Sequence, residues 1–290
     1  MAPTASSTRA AAAMAFGSIV SVQCGAALGT TLFDEVGPSG AVFLRALFAA
    51  LLLLALTRGR GVLPLRREGL GDLVLFGVAV AAVTFFFYAA LDRLPLGVTV
   101  TLQFTGPLGV AIFTSRRRRD ALWALPAGLG IVLLSDGLGD GGIDPVGAAL
   151  ALTAGAFWAL YILQSARVGR ANPGLGGLVV SATIAAVLLA PLGVAAGGEE
   201  LLSPPVLAVG LVVGLLSSAV PYVFEMEALR RLPRSVFGVL MSLEPVVAAL
   251  VGFVALSQDL AATELVAIAL VVCACAGALR SASAPPPRDG

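Results

Sequence analysis

The sequence predicts an all-α membrane protein with ten transmembrane helices, arranged as two inverted five-helix repeats. Three observations lead to this prediction: the composition, the distribution of arginine and an internal repeat. Of the 290 residues, 58% are hydrophobic and only 12% are charged, whereas charged residues make up about a quarter of a typical soluble domain. A soluble fold would expose too few charges at this composition, so a chain that crosses a membrane many times is expected.

The composition also excludes several kinds of function. A formal net charge of +1 leaves no basic surface for nucleic acid. The absence of histidine excludes imidazole metal sites, Ser-His-Asp triads and histidine proton relays. The three cysteines, Cys24, Cys273 and Cys275, lie in apolar runs, where cysteine usually acts as a small hydrophobic residue. We therefore expect no metal and no cofactor.

Long apolar stretches predict the individual helices, because a helix that crosses the hydrocarbon core needs about 20 residues. Six stretches contain no charged residue: 10–33, 73–91, 94–115, 145–166, 171–198 and 201–224. The other four are interrupted by one charge or are short: 36–57 with Arg45, 235–258 with Glu244, 121–136 and 262–280.

The distribution of arginine predicts the orientation of these helices. All basic residues are arginine, and ten helices with both termini in the cytoplasm place every arginine except Arg45 and Arg93 on the cytoplasmic side. The opposite loops carry acidic residues such as Asp34, Asp140 and Glu199. This segregation follows the positive-inside rule, so we predict that both termini are cytoplasmic.

An internal repeat relates the two halves of the chain. Residues 88–111 align with residues 226–249 at an offset of 138, with nine identities in 24 positions. The matches that this composition makes least expected are Arg93 with Arg231, Pro95 with Pro233, and Pro107 with Pro245.

The offset covers five helices, an odd number, so the second copy must be inverted in the membrane. We predict a first repeat at 11–137, a second at 145–280 and a proline-rich disordered tail at 281–290. Inverted repeats are typical of secondary transporters, whose substrate site lies between the repeats near the membrane midplane.

Ionisable residues at membrane depth are the first candidates for function, since they are costly there and usually face a cavity or a partner. Glu244 lies near the middle of its stretch, and the following Pro245 removes a helical hydrogen bond and frees a carbonyl group. We predict that Glu244 binds substrate and couples transport to protons. Glu225, near the cytoplasmic end of the eighth helix, is a candidate proton relay; alternatively, Glu225 and Glu227 reach the cytoplasmic surface.

Arg45 is a candidate ligand for a substrate carboxylate, because a guanidinium group binds carboxylates in a bidentate manner. The alternative is a structural ion pair or a carbonyl clamp between helices. Trp158 and Tyr161 share a face of the sixth helix. They could line a cavity and contact an ammonium group, or simply pack against lipid and neighbouring helices.

Polar residues such as Gln23 and Gln103 could hydrogen-bond a zwitterion, or could bond across helices. The sequence at 137–142 matches the dinucleotide fingerprint G-x-G-x-x-G, but it lies between membrane helices without a preceding strand, so we reject that interpretation. The G-x-x-x-G pairs at 25/29, 193/197 and 210/214 are too frequent in this composition to establish helix association. A homodimer is therefore left open.

Four stretches resemble the EamA-type branch of the drug/metabolite transporter superfamily: LQFTGPL at 102–108, GAFWALYIL at 155–163, PYVFEM at 221–226 and MSLEP at 241–245. The resemblance extends from about residue 15 to about residue 280. It implies ten helices in two repeats around a central cavity lined by helices 1–4 and 6–9. It also implies proton-driven export of small amino acids, of the threonine and homoserine kind, across a bacterial inner membrane. The family usually has glutamate at the position of Gln103, so this chain departs from the pattern there.

We therefore predict a secondary transporter, not an enzyme, whose partners are a small amino acid or related metabolite, protons and membrane lipid. The alternatives are a passive facilitator, an exporter of other metabolites or drugs, and a membrane-embedded enzyme. An enzyme would have to work without histidine, so only carboxylates could supply its chemistry.

Overall fold

The computed structural model describes residues 5–58, 69–114, 122–135, 143–171 and 176–282, and these ranges are almost entirely helical. Their α-helices are α1 (Ala5–Thr30), α2 (Phe33–Thr57), α3 (Leu70–Leu91), α4 (Leu96–Gln103), α5 (Thr105–Thr114), α6 (Ala124–Ser135), α7 (Pro145–Ala171), α8 (Gly176–Gly197), α9 (Pro204–Gly214), α10 (Val220–Arg231), α11 (Arg234–Met241), α12 (Glu244–Leu256) and α13 (Ala262–Ala282). A short 3₁₀-helix (Gly198–Leu202) follows α8, and a π-helical turn (Leu215–Ala219) joins α9 to α10.

The helices confirm a multi-pass membrane protein. Nine helical stretches of the described residues are long and apolar enough to cross a membrane, and Ala124–Leu133 is apolar but shorter. The stretch predicted at 262–280 forms the full-length α13, whereas the stretch predicted at 121–136 forms only α6. Helix α13 continues to Ala282, past the predicted start of the disordered tail. The rest of that tail, 283–290, and the rejected fingerprint at 137–142 lie outside the described residues.

Two spans that the sequence predicts as continuous helices, 94–115 and 235–258, are each broken near the middle. Phe104 separates α4 from α5, while Ser242 and Leu243 separate α11 from α12. A proline lies in the first turn after each break, where its missing N–H group costs no helical hydrogen bond. Phe104 and Ser242 are separated by the same 138 positions as the aligned repeats.

Glu244 lies inside the membrane span Val236–Leu256, where the sequence places it, and directly after the second break. It is therefore the first residue of α12. The Leu243 carbonyl accepts hydrogen bonds from the backbone N–H groups of Val246 and Val247, at 3.0 and 3.1 Å, so the connecting turn is compact. A carboxylate is favoured here because the N-terminus is the positive end of the helix dipole.

The helices of the two halves pack mainly on one another. Helix α3 packs on α7 and α8, α2 on α8 and α9, and α6 on α13. Helix α1 packs on α10 and α12, and α7 packs on α4 and α5. Most interhelical contacts therefore cross between the halves, and a space between them is bounded by both.

The glycine pairs spaced four apart pack within the chain. A Cβ on Gly25 would clash with the hydroxyl of Ser217, and one on Gly29 would lie 2.5 Å from the hydroxyl of Tyr88. A Cβ on Gly214 would lie 2.7 Å from that of Phe48. These glycines allow close helix contacts inside the protein.

Arg93, one of the two arginines left outside the cytoplasmic set, forms an ion pair with Asp144 at 2.9 Å. The hydrogen bond from Arg93 is the main reason that the pKa of the Asp144 carboxyl is lowered. Asp144 also accepts a bond from the backbone N–H of Val146. This pair joins the loop after α3 to the start of α7.

The tightest helix contact lies beside the first break. A Cβ on Gly106 would clash with the carbonyl oxygen of Gly155, and a Cβ on Gly155 would lie 2.7 Å from the carbonyl oxygen of Gln103. The backbones of α5 and α7 therefore touch directly. This contact sets the position of α7 one turn before Trp158.

We expect Gly106→Ala to destabilise the protein by about 1–3 kcal/mol, the usual effect of overpacking, because the new methyl group meets rigid backbone. Gly109→Ala is the matched control on the same helix, since a Cβ there meets nothing within 4 Å. Thermal unfolding of the two purified variants in detergent measures the difference. Equal unfolding midpoints would contradict the direct backbone contact.

Candidate functional site

A cavity of about 360 Å³ lies between the two halves of the protein. Helices α1–α4, α7, α8 and α10–α12 and the π-helical turn line it. Its size is in the range of small-molecule binding sites. Seven of the lining residues are candidates from the sequence: Gln23, Arg45, Gln103, Trp158, Tyr161, Glu225 and Glu244.

Glu244 is held by a residue of α1. The Nε2 group of Gln23 donates a hydrogen bond to Oε1 of Glu244 at 2.9 Å. Both side chains are buried, with 8% of Glu244 and 1% of Gln23 exposed. No arginine of the described residues forms an ion pair with Glu244. Because a carboxylate can accept several hydrogen bonds, this one can still bind a cationic ligand or a proton.

Glu225 is held in the same manner by α1. The hydroxyl of Ser18, which is fully buried, donates a hydrogen bond to Oε1 of Glu225 at 2.7 Å. One turn further along α1, the hydroxyl of Ser21 donates to the backbone carbonyl of Leu216 at 2.7 Å. Three polar residues of α1 therefore contact three different elements: Ser18 contacts α10, Ser21 the π-helical turn and Gln23 α12.

The sequence indicates Gln23 as a candidate but not Ser18 and Ser21. Their spacing of three residues within an apolar helix is a signal, since it places both on one face. The signal is weak, because a serine in a membrane helix often bonds to its own backbone.

Glu227 does not line the cavity. Its carboxylate pairs with Arg230 at 3.4 Å and with Arg231 on the same helix. This is the surface arrangement that the sequence favours for Glu227. Glu225, two residues earlier, faces the cavity instead.

Arg45 lies in the middle of α2, and its guanidinium carbon is 5.9 Å from the centre of the Tyr88 ring. Within the described ranges no carboxylate lies within 4.0 Å of Arg45. A structural ion pair therefore has no partner among these residues. An unpaired cation at this depth is costly, so the guanidinium is available to an anion that enters the cavity.

Trp158 and Tyr161 form an aromatic wall on α7. The Trp158 ring packs edge-on against Phe104 with ring centres 4.9 Å apart, and the Tyr161 ring packs against Phe76 at 5.1 Å. Both rings are partly buried and also line the cavity. Helix packing thus orients the two rings, and the same two side chains line the cavity. Phe104 is the residue at the first helix break, so the break positions this wall.

The π-helical turn contributes Ser217 and Ser218 to the cavity. The Ser217 hydroxyl is buried and has no hydrogen-bond partner among the described residues. Single π-helical turns inside α-helices are rare and frequently occur at functional sites. The sequence analysis did not select these serines, since no motif marks a π-helical turn.

Comparison with known proteins gives one family and several relatives. The model of the EamA-like transporter family matches residues 145–280. The threonine/homoserine exporter RhtA of Escherichia coli is 40% identical over 260 residues, which cover 89% of this chain and 88% of that protein. The exporter of the same name from Salmonella typhimurium is 40% identical over 258 residues, covering 89% of this chain and 87% of that protein.

More distant similarities agree in fold. An uncharacterized transporter of Bacillus subtilis, YwfM, is 27% identical over 206 residues, covering 68% of this chain and 69% of that protein. One solved crystal structure superposes with a TM-score of 0.61 at 21% identity, covering 94% of this chain and 97% of the other.

Proposed function

This chain belongs to the EamA-like transporter family, and we propose that it exports small amino acids of the threonine and homoserine type across the bacterial inner membrane in exchange for protons. The observation that carries the proposal is the 40% identity, over nearly the whole chain, with proteins named as threonine/homoserine exporters. Those relatives are transporters, so the chain is a transporter and not a membrane-embedded enzyme. The cavity residues then have to bind a zwitterion and move a proton.

We propose that residues 11–137 and 145–280 form two inverted repeats with both termini in the cytoplasm. The offset of 138 residues pairs α1 with α7, α3 with α10 and α5 with α12. If the repeats are equivalent, packing of α1 on α10 and on α12 in one arrangement corresponds to packing of α7 on α3 and on α5 in the other. All four contacts occur. The two helix breaks at one offset, and the family match over 145–280, support the same division. The arginine distribution supports the cytoplasmic termini.

Within the cavity, Arg45 binds the substrate carboxylate and Glu244 binds its ammonium group. Among the described residues Arg45 contacts the Tyr88 ring but no carboxylate, and the Glu244 carboxylate has only the neutral donor Gln23. Trp158 and Tyr161 offer aromatic faces, and Gln103 an amide, to the same zwitterion. This assignment uses two of the charged residues that line the cavity, Arg45 and Glu244, and leaves Glu225 for the proton.

Proton exchange follows from the same carboxylate. A protonated Glu244 can no longer attract an ammonium group, so proton and substrate compete for it. Glu225 lies nearer to the predicted cytoplasmic end of its helix and relays the proton between Glu244 and the cytoplasm. Alternating access exposes the site to one side at a time, by movement of one repeat against the other.

Export is tested first by growth. Expression in a bacterial host sensitive to homoserine and threonine is expected to raise resistance to both amino acids, because export lowers their cytoplasmic concentration. Counterflow of labelled threonine in proteoliposomes provides the direct measurement, with protein-free vesicles as the control. Resistance only to aromatic amino acids or cationic drugs would contradict the substrate assignment and leave a transporter of another substrate.

Arg45→Lys is expected to raise the KM for threonine by about tenfold or more, since lysine cannot reproduce a bidentate pair with a carboxylate. Membrane expression should stay normal, because Arg45 holds no described ion pair. Arg93→Lys is the matched control, with an arginine outside the cavity. Loss of folded protein in both Arg45→Lys and Arg45→Gln would instead assign Arg45 a structural role.

Glu244→Gln is expected to exchange substrate slowly and to lose stimulation by an imposed pH gradient. Glutamine keeps the shape of the side chain and can accept the hydrogen bond from Gln23, but it cannot titrate. Proteoliposomes with and without a pH gradient measure the stimulation, and Glu227→Gln, which changes a surface carboxylate of α10, is the control. Full stimulation of Glu244→Gln would move the coupling role to Glu225. Transport by the unmodified protein that ignores the gradient would indicate a passive facilitator.

A further inference from the structure

The aromatic ring of Tyr88 is the partner of the Arg45 side chain among the described residues. The guanidinium carbon of Arg45 lies over this ring, 5.9 Å from its centre. Within the described ranges Arg45 takes part in no hydrogen bond and no ion pair. A guanidinium group at this distance is attracted by the negative face of an aromatic ring, and more strongly where water is excluded. The ring therefore stabilises one position of the guanidinium group.

Three helices fix the position of the Tyr88 ring. Tyr88 lies on α3 and is 1% exposed. Its ring packs against Phe87 of the same helix, with ring centres 5.8 Å apart, and against Phe33 of α2 at 5.9 Å. Gly29 of α1 approaches so closely that a Cβ there would lie 2.5 Å from the Tyr88 hydroxyl. Because the ring is packed on these sides, its contact with Arg45 fixes the flexible arginine side chain.

The ring of Tyr88, rather than its hydroxyl, contacts the arginine. The hydroxyl is buried against Gly29 and has no hydrogen-bond partner among the described residues. Arg45 lines the cavity, whereas Tyr88 does not. Tyr88 can therefore affect a bound substrate only through Arg45.

An aromatic partner suits an arginine that has to bind a substrate. A carboxylate partner would neutralise the guanidinium group and would compete with the carboxylate of the substrate. A ring holds the group without neutralising its charge, and the five N–H donors of arginine stay available for hydrogen bonds to oxygen. An arginine side chain has many rotamers, so fixing it beforehand reduces the entropy that is lost when the substrate binds.

We propose that Tyr88 is a positioning residue, whose ring holds the guanidinium group of Arg45 in place for the substrate carboxylate. The proposal rests on the proposed function, in which Arg45 binds that carboxylate. It adds a residue outside the cavity on which the affinity for carboxylate-bearing substrates depends. Binding of an analogue without the carboxylate should not depend on Tyr88.

Threonine amide, in which a neutral amide replaces the carboxylate, separates this contribution from the rest of the site. Inhibition of labelled-threonine counterflow by threonine and by threonine amide is measured in proteoliposomes. In Tyr88→Leu we expect the preference for threonine to fall about three- to tenfold, the effect of one partly desolvated cation–π contact, with the maximal rate unchanged. Tyr88→Phe keeps the ring and should keep the preference. Phe86→Leu is the matched control, since it removes a ring of α3 that packs on Phe157 outside the cavity.

Phenylalanine with ring fluorines, introduced at position 88, is the second type of variant, and it decides the matter if Tyr88→Leu does not fold. Fluorine withdraws electron density from the face of the ring and hardly changes its shape, so the attraction for a cation weakens. The preference for threonine should therefore fall stepwise from phenylalanine to the singly and the triply fluorinated ring. A ring that served only for packing would give the same preference throughout, and this result would overturn the proposal.

Arg45→Gln distinguishes failure of this proposal from failure of the proposed function. It is expected to abolish the preference for threonine over threonine amide. A preference that is lost in Arg45→Gln but unchanged in Tyr88→Leu would overturn the role of Tyr88 alone. An unmodified protein without the preference, or a preference that persists in Arg45→Gln, would overturn the assignment of Arg45 in the proposed function, and the role of Tyr88 with it.

Discussion

The constraint on which this structure depends is the burial of a carboxylate within a membrane-spanning helix bundle. A buried charge is expensive unless it is paired or hydrogen-bonded, yet among the described residues Glu244 receives only one neutral donor, from Gln23. The broken helix relieves part of the cost, because it places Glu244 at the positive end of α12. Helix α1 relieves another part, since its residues Gln23 and Ser18 donate hydrogen bonds to Glu244 and Glu225. A carboxylate stabilised this incompletely remains able to bind a ligand.

The proposed repeats share the positions of their helices but not the polar side chains that those helices carry. Gly106 occupies the position 138 residues before Glu244, and Phe87 the position before Glu225. At Gly106 the absence of a side chain lets α5 touch α7, whereas at Glu244 the corresponding space holds the carboxylate and its partner from α1. Gln23 and Tyr161 also correspond, and both line the cavity. In the proposed repeats, corresponding helices of both halves thus line the cavity, whereas each of the two carboxylates occurs in one half only.

Much of this architecture could be predicted because a membrane makes charge informative. Apolar stretches predicted the spans, and isolated charges predicted Arg45 and Glu244 as cavity residues, where both lie. The helix breaks could not be predicted, because a proline in an apolar run fits a kinked helix as well as the first turn of a new one. Ser217 could not be predicted for a related reason. In a membrane helix the lipid-facing and the core-facing positions are both apolar, so no periodicity shows which serine lines the cavity.

Gln23 connects substrate binding with proton exchange. Its amide donates at one end and accepts at the other, and Glu244 now takes the donor end. A protonated carboxyl group carries a donor of its own. When Glu244 takes up a proton, its O–H can bond to Oε1 of Gln23 after rotation of the amide. Gln23 thus stabilises the neutral carboxyl group as well as the carboxylate, while the ammonium group of the substrate loses its counter-charge. Under the proposed function, one proton therefore releases the substrate without leaving Glu244 unpaired.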